Sequence, residues 1–374
     1  MKKSLNTFVL IVFVFQCCIC QQKIETYKIP SILAGKKQAA LIVDYSSNIE
    51  LIPLETRNDC LVDYVLQVLS DSVHIYVWDR SNKVFIFNQK GKFIGKIVPK
   101  GKGPGEYRII SQRIMLFSEQ GIICIYDASL RKLLMFNNEG EFLKEVKLDF
   151  PVQALERLGN NTIVCLTDAL YTKTSLHELN YFDISRMCFV KKLALQAQTQ
   201  FPRAPMYRNP GFSIAGNELI LRLPFCDTIF RIDQESCQPA FILKLGPKGM
   251  TRDLYTNLSR LEAQRSDFID ASLPFITRQY IFLELLNFGR NEFAILNKNT
   301  NKWIVSEMPE NIFGGLFWDS KKKLVMTMNN CQNEVYYSVI EAQDFLEDFS
   351  KIYPKLCSQI KVDDNPIILQ ASLN

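Results

Sequence analysis

The chain has 374 residues, of which 47% are hydrophobic and 22% charged, with two histidines and a formal net charge of +5. A chain of this kind can bury a large core in one large domain or two smaller ones. The basic residues are dispersed, with 321–323 as the longest run, which argues against a nucleic-acid-binding surface. Two histidines exclude a histidine-rich metal centre.

The first twenty residues resemble an export signal. Lys2 and Lys3 precede the apolar run Phe8–Phe15, which is too short to span a bilayer, and the sequence QCCICQQ follows. Three alternatives stay open: lipidation of a cysteine as in a bacterial lipoprotein, simple cleavage near Cys20, or an uncleaved anchor. The candidates for lipidation are Cys17, Cys18 and Cys20. We expect export to the periplasm or the outer membrane surface, with membrane contact only through such a lipid.

Three of the 11 cysteines lie in this signal, and no pair in the rest of the chain has the C-x-x-C spacing of a zinc site. Cys124 and Cys165 lie inside the apolar runs IICIYD and IVCLTD. We expect both to be buried as small hydrophobic side chains.

After residue 40, short runs rich in β-branched and aromatic residues alternate with turn-forming residues, which predicts β-strands. Helical patterns are few. One covers about 251–270 and predicts a helical insertion at the flank or rim. Another covers about 340–352 and is expected to stop before Pro354.

Residues 75–97 and 123–146 are copies of each other, about 48 residues apart. Each reads as strand, turn, strand, Asn-x-x-Gly turn, strand, and a repeat of this length made only of strands is typical of a β-propeller blade. The matched pairs are Ile75 with Ile123, Asp79 with Asp127, Asn88 with Asn137, Gly91 with Gly140, and Phe93 with Phe142.

Weaker copies cover 161–195, 217–246 and 280–308, and a sixth begins at 314–328. The predicted fold is an all-β, six-bladed β-propeller with a short helical insertion and a C-terminal helix. The segment NIELIPLE is expected to supply the missing outer strand of the sixth blade and so close the ring. We expect one domain over 21–374, with blades at about 40–340 and the helix and tail at 340–374. The repeated aromatic residues are then packing between blades: Phe85, Phe87, Tyr126 and Phe136.

The stretch KGKGPGEYR at 100–108 lacks the Gly-Lys-Ser/Thr of a phosphate-binding loop, and a strand-like run rather than a helix follows it. We interpret it as a rigid corner between two blades, with glycines at positive φ and Pro104 fixing one φ. Glu106 accepts N–H groups of its own turn or points into a ligand site. The candidate ligand contacts are Glu106, Tyr107 and Arg108.

The stretch FNQKGKFIGKIVPKGKGPGEY resembles the repeat and the G-x-G-P-G-E-Y signature of a six-bladed propeller family of exported Gram-negative envelope proteins. The segments CDTIFRI at 226–232 and DDNPIILQASLN at the C-terminus are similar to later parts of that family. The resemblance implies a propeller that is exported and often a lipoprotein. It implies no catalytic residue.

Aspartates at equivalent positions of several blades suggest an alternative function. Asp79 and Asp127 are equivalent, and Asp319 in LFWD is a third candidate. Carboxylates converging from several blades would bind calcium in a central channel, as in six-bladed hydrolases. The alternative is that each carboxylate accepts backbone N–H groups of its own turn.

The stretch FPRAPMYRNPGF at 201–212 has three prolines and breaks the repeat. It is either a packed connection or a surface loop that binds an acidic or sugar ligand. Its candidate ligand contacts are Arg203, Tyr207 and Arg208.

The sequence therefore favours a non-catalytic propeller of the cell envelope that binds a ligand or a protein. The expected partner is a protein, a peptide or a saccharide at a propeller face, with no nucleic acid and no cofactor. The alternative is a calcium-assisted hydrolase or lyase with its site in the central channel.

Overall fold

The computed structural model describes residues 24–29, 38–167, 177–195, 211–215, 218–223, 226–251, 259, 269–272, 274–287, 290–309, 314–319, 325–327, 330–332 and 334–374. Their strands form six sheets of four or five strands, arranged as a six-bladed β-propeller, and one additional two-stranded sheet, which confirms the predicted fold class. The inner strands of several neighbouring blades contact one another around the axis.

Blades 1 to 3 each have four antiparallel strands in chain order. Blade 1 contains β3 (Val65–Ser70), β4 (His74–Asp79), β5 (Val84–Asn88) and β6 (Phe93–Ile97). Blade 2 contains β7 (Met115–Phe117), β8 (Ile122–Asp127), β9 (Lys132–Phe136) and β10 (Phe142–Lys147). Blade 3 contains β11 (Val152–Leu158), β12 (Thr162–Thr167), β13 (Glu178–Asp183) and β14 (Cys188–Ala194).

Blades 4 and 5 each carry an extra strand. Blade 4 contains β15 (Gly211–Ala215), β16 (Glu218–Arg222), β17 (Thr228–Ile232) and β18 (Cys237–Lys244), and the N-terminal β1 (Glu25–Lys28) pairs in parallel with β18. Blade 5 contains β19 (Ile269–Ala271), β20 (Phe275–Ile276), β21 (Tyr280–Asn287), β22 (Arg290–Asn297) and β23 (Lys302–Glu307). A single 3-10 turn, Gly246–Lys248, follows β18.

Blade 6 joins the two ends of the chain. It contains β26 (Asn330–Gln332), β27 (Val335–Ile340), β28 (Ile367–Leu373) and, at its outer edge, the N-terminal β2 (Ser46–Pro53). The strand β2 is the NIELIPLE segment, so the predicted closure is confirmed. Two details differ from the sequence interpretation. The segments β24 (Gly315–Phe317) and β25 (Val325–Thr327) form a separate two-stranded sheet, and Phe317 also makes a parallel bridge with Leu41. The blades extend beyond residue 340, because β28 fills the place between β27 and β2.

Apolar side chains fill the spaces between blades. Six clusters of buried hydrophobic residues are present in the described chain, and each one lies between two neighbouring blades. Phe85 and Phe87 pack between blades 6 and 1, Phe136 between blades 1 and 2, and Tyr126 between blades 2 and 3. The repeated aromatic positions are therefore core residues, as predicted.

The turn between the third and fourth strands has one hydrogen-bonding pattern in the two copies of the repeat. The Asn88 Oδ1 atom accepts the N–H groups of residues 90 and 92, at 2.9 and 3.0 Å, and Asn137 does the same for residues 139 and 141. Gly91 and Gly140 follow with φ of 75° and 87°. A Cβ atom on Gly91 would lie 2.0 Å from the carbonyl oxygen of Pro53 in blade 6, so the glycine also allows two blades to meet.

The antiparallel strand order places alternate connections at the same face of the ring. One face, which we name the linker face, carries the inter-blade connections such as 54–64 and 98–114 and the turns 80–83 and 128–131. The opposite face, the turn face, carries the short turns such as 71–73, 118–121 and 137–141. The described connections are longest at the linker face.

Three short helices have described bounds: α1 (Ile42–Tyr45), α2 (Ala342–Phe349) and α3 (Pro354–Cys357). The helix α2 is the predicted C-terminal helix, and it buries Phe345 and Phe349 against blades 5 and 6. Ile352 is not part of it and is 52% exposed. The predicted helix at 251–270 lies mostly outside the described residues, but it does not extend to 270, because β19 begins at Ile269.

Seven cysteines are free thiols: Cys60, Cys124, Cys165, Cys188, Cys226, Cys237 and Cys357. Cys124 and Cys165 are fully buried between blades 2 and 3, as predicted, and burial raises the pKa of Cys165 to about 12. Among the described helices, none has the length and apolar character needed to cross a membrane.

Replacing Asn365 by alanine tests the contact between the segment before β28 and the segment after β2, where the ring closes. The buried Asn365 amide donates to the carbonyl oxygens of Glu55 and Cys60, at 2.7 and 2.6 Å, and accepts the Val62 N–H at 2.9 Å. The variant leaves these backbone groups without a partner, so we expect a loss of about 3 kcal/mol in the free energy of unfolding, measured by urea denaturation. The exposed control Asn48→Ala should change it by less than about 0.5 kcal/mol. A similarly small effect of Asn365→Ala would contradict this role.

Candidate functional site

The glycine-proline corner is a structural joint between blades 1 and 2. The Glu106 carboxylate accepts the Gly103 N–H at 2.9 Å, and a Cβ atom on Gly101 would lie only 2.7 Å from that carboxylate. Of the three glycines, only Gly105 has a positive φ, at 70°. A side chain on Gly101 would therefore displace the Glu106 carboxylate, and only Gly105 has the left-handed backbone that the sequence led us to expect for all three glycines.

The structure gives Tyr107 an internal role. The side chain is fully buried, and its hydroxyl donates to the carbonyl oxygen of Asn82 at 2.6 Å. The Asn82 amide oxygen in turn accepts the Ile110 N–H at 3.0 Å. Tyr107 therefore holds the linker against a turn of blade 1, and burial raises its pKa. The Tyr107 side chain does not reach the surface, and a ligand contact for it stays a prediction. Arg108 is exposed on the linker face.

Asp79 and Asp127 lie at equivalent positions of blades 1 and 2 and are fully buried. We name them the clamp aspartates, because each joins a turn to the preceding linker. Asp127 accepts the Leu130 N–H of its own turn at 3.0 Å and the Arg108 N–H of the preceding linker at 2.7 Å. Asp79 accepts the Lys83 N–H of its turn at 3.0 Å and an N–H of the preceding linker at 3.1 Å. These carboxylates fasten linkers to turns, which is the second of the two alternatives that the sequence left open.

The calcium alternative requires several acidic groups in one place. Among the described residues, no three His, Cys, Asp or Glu side chains are close enough together to hold a metal ion. Asp79, Asp127 and Asp319 all belong to the described part, so these three do not form the predicted centre. The carboxylates of Asp79 and Asp127 are also already engaged by their turns.

Two other groups of predicted site residues fall outside the described chain. The loop residues Arg203, Tyr207 and Arg208 do so, and the lipidation candidates Cys17, Cys18 and Cys20 do so as well. Their roles stay predictions.

A cleft of about 390 Å³ opens on the turn face where blades 6, 1 and 2 meet, and we name it the turn-face cleft. Its volume lies within the range of about 300–1,000 Å³ that is usual for small-molecule sites. The lining consists of one carboxylate, two amides, four hydroxyl groups and two valines. These residues are Ser70, Asp71, Ser72, Val73, Ser118, Asn138, Val335, Tyr337 and Gln370.

Hydrogen bonds fix several of the lining side chains. The Ser70 and Tyr337 hydroxyl groups are 2.6 Å apart and connect blade 1 to blade 6. The Asp71 carboxylate accepts two backbone N–H groups at 2.7 Å and the Tyr76 hydroxyl at 2.9 Å. The same hydroxyl lies 3.0 Å from the amide oxygen of Asn138 in blade 2. The polar lining is therefore held in place across three blades.

Gln370 is the exception in this lining. Its amide oxygen is buried and has no hydrogen-bond partner. A buried acceptor without a partner costs about 1–3 kcal/mol. Gln370 lies in the middle of β28 opposite Tyr337, so two strands determine its position. No motif in the sequence marks Gln370, because its importance depends on which residues surround it after the ring closes.

A second cleft of about 570 Å³ lies between blades 3 and 4. It is lined mainly by apolar groups such as Leu193, Leu223, Phe230 and Pro239. Its lining also includes Leu195, which directly precedes residues outside the described chain. We therefore base the functional argument on the turn-face cleft, all of whose lining is described.

Residues 29–372 match the model of a protein family described as "Domain of unknown function (DUF4934)". No curated protein matches the sequence. A solved structure named "Putative exported protein (BF0058)" from Bacteroides fragilis NCTC 9343 is similar, with a TM-score of 0.68 and 18% identity over 93% of this chain and 99% of that chain. A DUF4221 family member from Bacteroides vulgatus ATCC 8482 has a TM-score of 0.47 and 10% identity over 87% of this chain and 96% of that chain. At 18% identity the first similarity shows a shared fold, and the second carries no argument.

Replacing Asp127 by asparagine tests the clamp through its pH dependence. Burial raises the pKa of Asp127, but four hydrogen bonds from one hydroxyl and three backbone N–H groups outweigh it and hold the pKa below 3.8. A lowered pKa means that the ionised group stabilises the fold above about pH 4 and that this contribution is lost as the pH falls through the folded pKa. We expect Asp127→Asn to lose about 2 kcal/mol of unfolding free energy at pH 7.

The deficit of Asp127→Asn should become smaller as the pH falls from 3.8 through the lower pKa of the folded carboxylate, because the unfolded chain takes up the proton first and the folded wild type loses its charge only below that pKa. Urea denaturation at a series of pH values measures it. The exposed Asp348→Asn is the control and should show no comparable deficit. A deficit of Asp127→Asn that does not change with pH would contradict the role of its charge.

Proposed function

The chain belongs to the protein family described as domain of unknown function DUF4934, and we propose that it is an exported, non-catalytic binding protein of the cell envelope. In this proposal the turn-face cleft holds a small polar ligand. The observation that carries it is a cleft of about 390 Å³ whose polar lining is held by hydrogen bonds across three blades.

The fixed positions of the lining side chains support binding rather than catalysis. The one carboxylate of the cleft, Asp71, already accepts three hydrogen bonds, so it is not a ready general base. The Ser70 and Tyr337 hydroxyl groups bond to each other, and no histidine or lysine side chain belongs to the described lining to activate them. A rigid polar cleft without such a pair can recognise a molecule without changing it.

The location in the envelope rests on two observations of different kinds. The first twenty residues have the basic start, the apolar run and the boundary of an export signal. A structural relative with a TM-score of 0.68 is named as an exported protein. We propose the periplasm or the outer membrane surface as its place. A lipid on Cys17, Cys18 or Cys20 is the proposed form of membrane contact, if the signal is processed as in a lipoprotein.

Thermal unfolding in the presence of small molecules tests this function. The panel contains neutral sugars, sugar phosphates, amino acids, nucleosides and short peptides. A ligand at about 100 times its dissociation constant adds about 2.7 kcal/mol, so at least one class should raise the melting temperature. Ser118→Trp should abolish this shift by filling the cleft, and mass spectrometry should recover the ligand unchanged.

The control is Asn299→Trp, which places the same side chain at an exposed position in a turn of blade 5, away from the cleft. It should keep the full shift. The proposal fails if no class raises the melting temperature, if the shift persists in Ser118→Trp, or if a reaction product appears.

A further inference from the structure

We infer that the linker face binds a second copy of this chain through one patch over blades 6, 1 and 2, which we name the linker-face patch. The patch combines an apolar part with a basic side and an acidic side. The apolar part contains Leu61, Tyr64, Leu66 and Ile109, the basic side Arg80 and Arg108, and the acidic side Asp63, Glu341, Asp344, Glu347 and Asp348. This inference goes beyond the proposed function and does not depend on it, because the turn-face cleft opens on the opposite face.

The apolar part of the patch is exposed although its backbone is fixed. Between 40% and 56% of each of its four residues is exposed. Leu66 lies at the bulge where β3 shifts register against β4. The Ile109 N–H donates to the buried Asp127 carboxylate at 3.3 Å, which holds its linker in place. Single exposed apolar residues are common, but a group of them beside charged side chains is typical of a protein interface.

The basic side adjoins the apolar part. The Arg80 N–H donates to the Tyr64 carbonyl oxygen at 2.8 Å, and the guanidinium carbon of Arg80 lies 4.5 Å from the centre of the Tyr64 ring. Asn82 in the same turn accepts the Ile110 N–H at 3.0 Å, so the linker before blade 2 lies against that turn. Neither Arg80 nor Arg108 forms an ion pair within the described chain. Tyr and Arg are enriched among the residues that carry most of the binding energy of protein interfaces.

The acidic side is formed by α2, the residue before it and Asp63. It lies at the linker face, because the connection from β27 to β28 that contains α2 corresponds to the turn 80–83 of blade 1. Partial burial and the charges of Asp344 and Asp63 raise the pKa of Glu341. Partial burial and the charges of two further carboxylates of α2 raise the pKa of Asp344. No cation contributes to either shift, so like charges are close together here without a compensating charge.

A second copy of the chain matches both sides of the patch at once. The two sides are neighbours, because Asp63 interacts with Glu341 and its N–H donates to Asp79, directly before Arg80. In a dimer with a twofold axis through the patch, the basic side of each copy faces the acidic side of the other. An anionic membrane or an acidic peptide would match the basic side only, and the acidic side would repel it. The charge pattern therefore favours self-association.

Sedimentation equilibrium of the exported chain without its signal measures this dimer. Between about 1 and 200 μM protein, the mean mass should rise from that of one chain towards that of two. High salt should weaken the dimer, because it screens the charges of both sides. Tyr64→Ser should weaken it about tenfold, because it removes the ring on which Arg80 stacks.

Two charge-reversal variants test how the copies meet. One carries Arg80→Glu and Arg108→Glu, and the other carries Asp344→Lys and Asp348→Lys. Each variant alone should stay monomeric up to about 200 μM, because like charges would face each other in its dimer. An equimolar mixture of the two should form a heterodimer, because every reversed side then faces a side of opposite charge. Misfolding of either variant cannot produce this recovery.

The matched control is a variant with Lys90→Glu and Lys302→Glu, which reverses two exposed cations at the turn face. It should dimerise like the wild type. Ser118→Trp should also dimerise like the wild type, because it fills only the turn-face cleft. Loss of the ligand-dependent thermal shift and loss of the dimer are therefore separate results, and the failure of one proposal leaves the other intact.

Four results would overturn the inference. A chain that stays monomeric at every concentration excludes the dimer. A dimer that persists in both charge-reversal variants excludes the linker-face patch as its interface. Two monomeric variants that form no heterodimer exclude the twofold arrangement. Binding of the wild type to phosphatidylglycerol vesicles without self-association assigns the patch to a membrane instead.

Discussion

Every blade of this protein must bury both of its faces, and this is achieved only when the ring is complete. Each of the six apolar clusters lies between two blades, so an open ring would expose the clusters at the gap to water. Pairing of β2 with β28 removes that gap and also satisfies two strand edges that would otherwise be open. Asn365, just before β28, adds hydrogen bonds to three backbone groups of the segment that follows β2.

Within the closed ring, Asp and Asn side chains accept backbone N–H groups at both faces. At the turn face, residues at the start of the last turn in blades 1 to 5 accept N–H groups of that turn: Asn88, Asn137, Asp183, Asp233 and Asn297. At the linker face, the clamps of blades 1 and 2 join a turn to the preceding linker. Both faces are thereby stiffened by side chains that stabilise local backbone.

The repeat in the sequence predicts the fold, but it does not predict the inner strands, the last strand or the candidate site. The middle strands of blades 1 and 2 carry turn residues at fixed spacings, so the blades, their core aromatics and the closing strand could be identified. The inner strands could not: β7 has three residues, and β11 has the sequence VQALERL, which has no clear period of two. The C-terminal tail was not identified as a strand, because β28 is specified by its partners β27 and β2, far away in sequence. The candidate site was missed for the same reason, since Gln370 of blade 6 and Asp71 of blade 1 line one cleft only after the last blade packs against the first.

The position of the turn-face cleft relates ligand binding to the stability of the ring. Blade 6 supplies Tyr337 and Gln370, blade 1 supplies Ser70, and the bond between Ser70 and Tyr337 crosses the interface between the last blade and the first. A ligand that contacts blades 6, 1 and 2 together would add cross-links at this interface. Its binding energy would then stabilise the closed ring relative to any opened or unfolded state, in proportion to its concentration over its dissociation constant. The same constraint that closes the propeller also creates the site, because no single blade contains the complete lining.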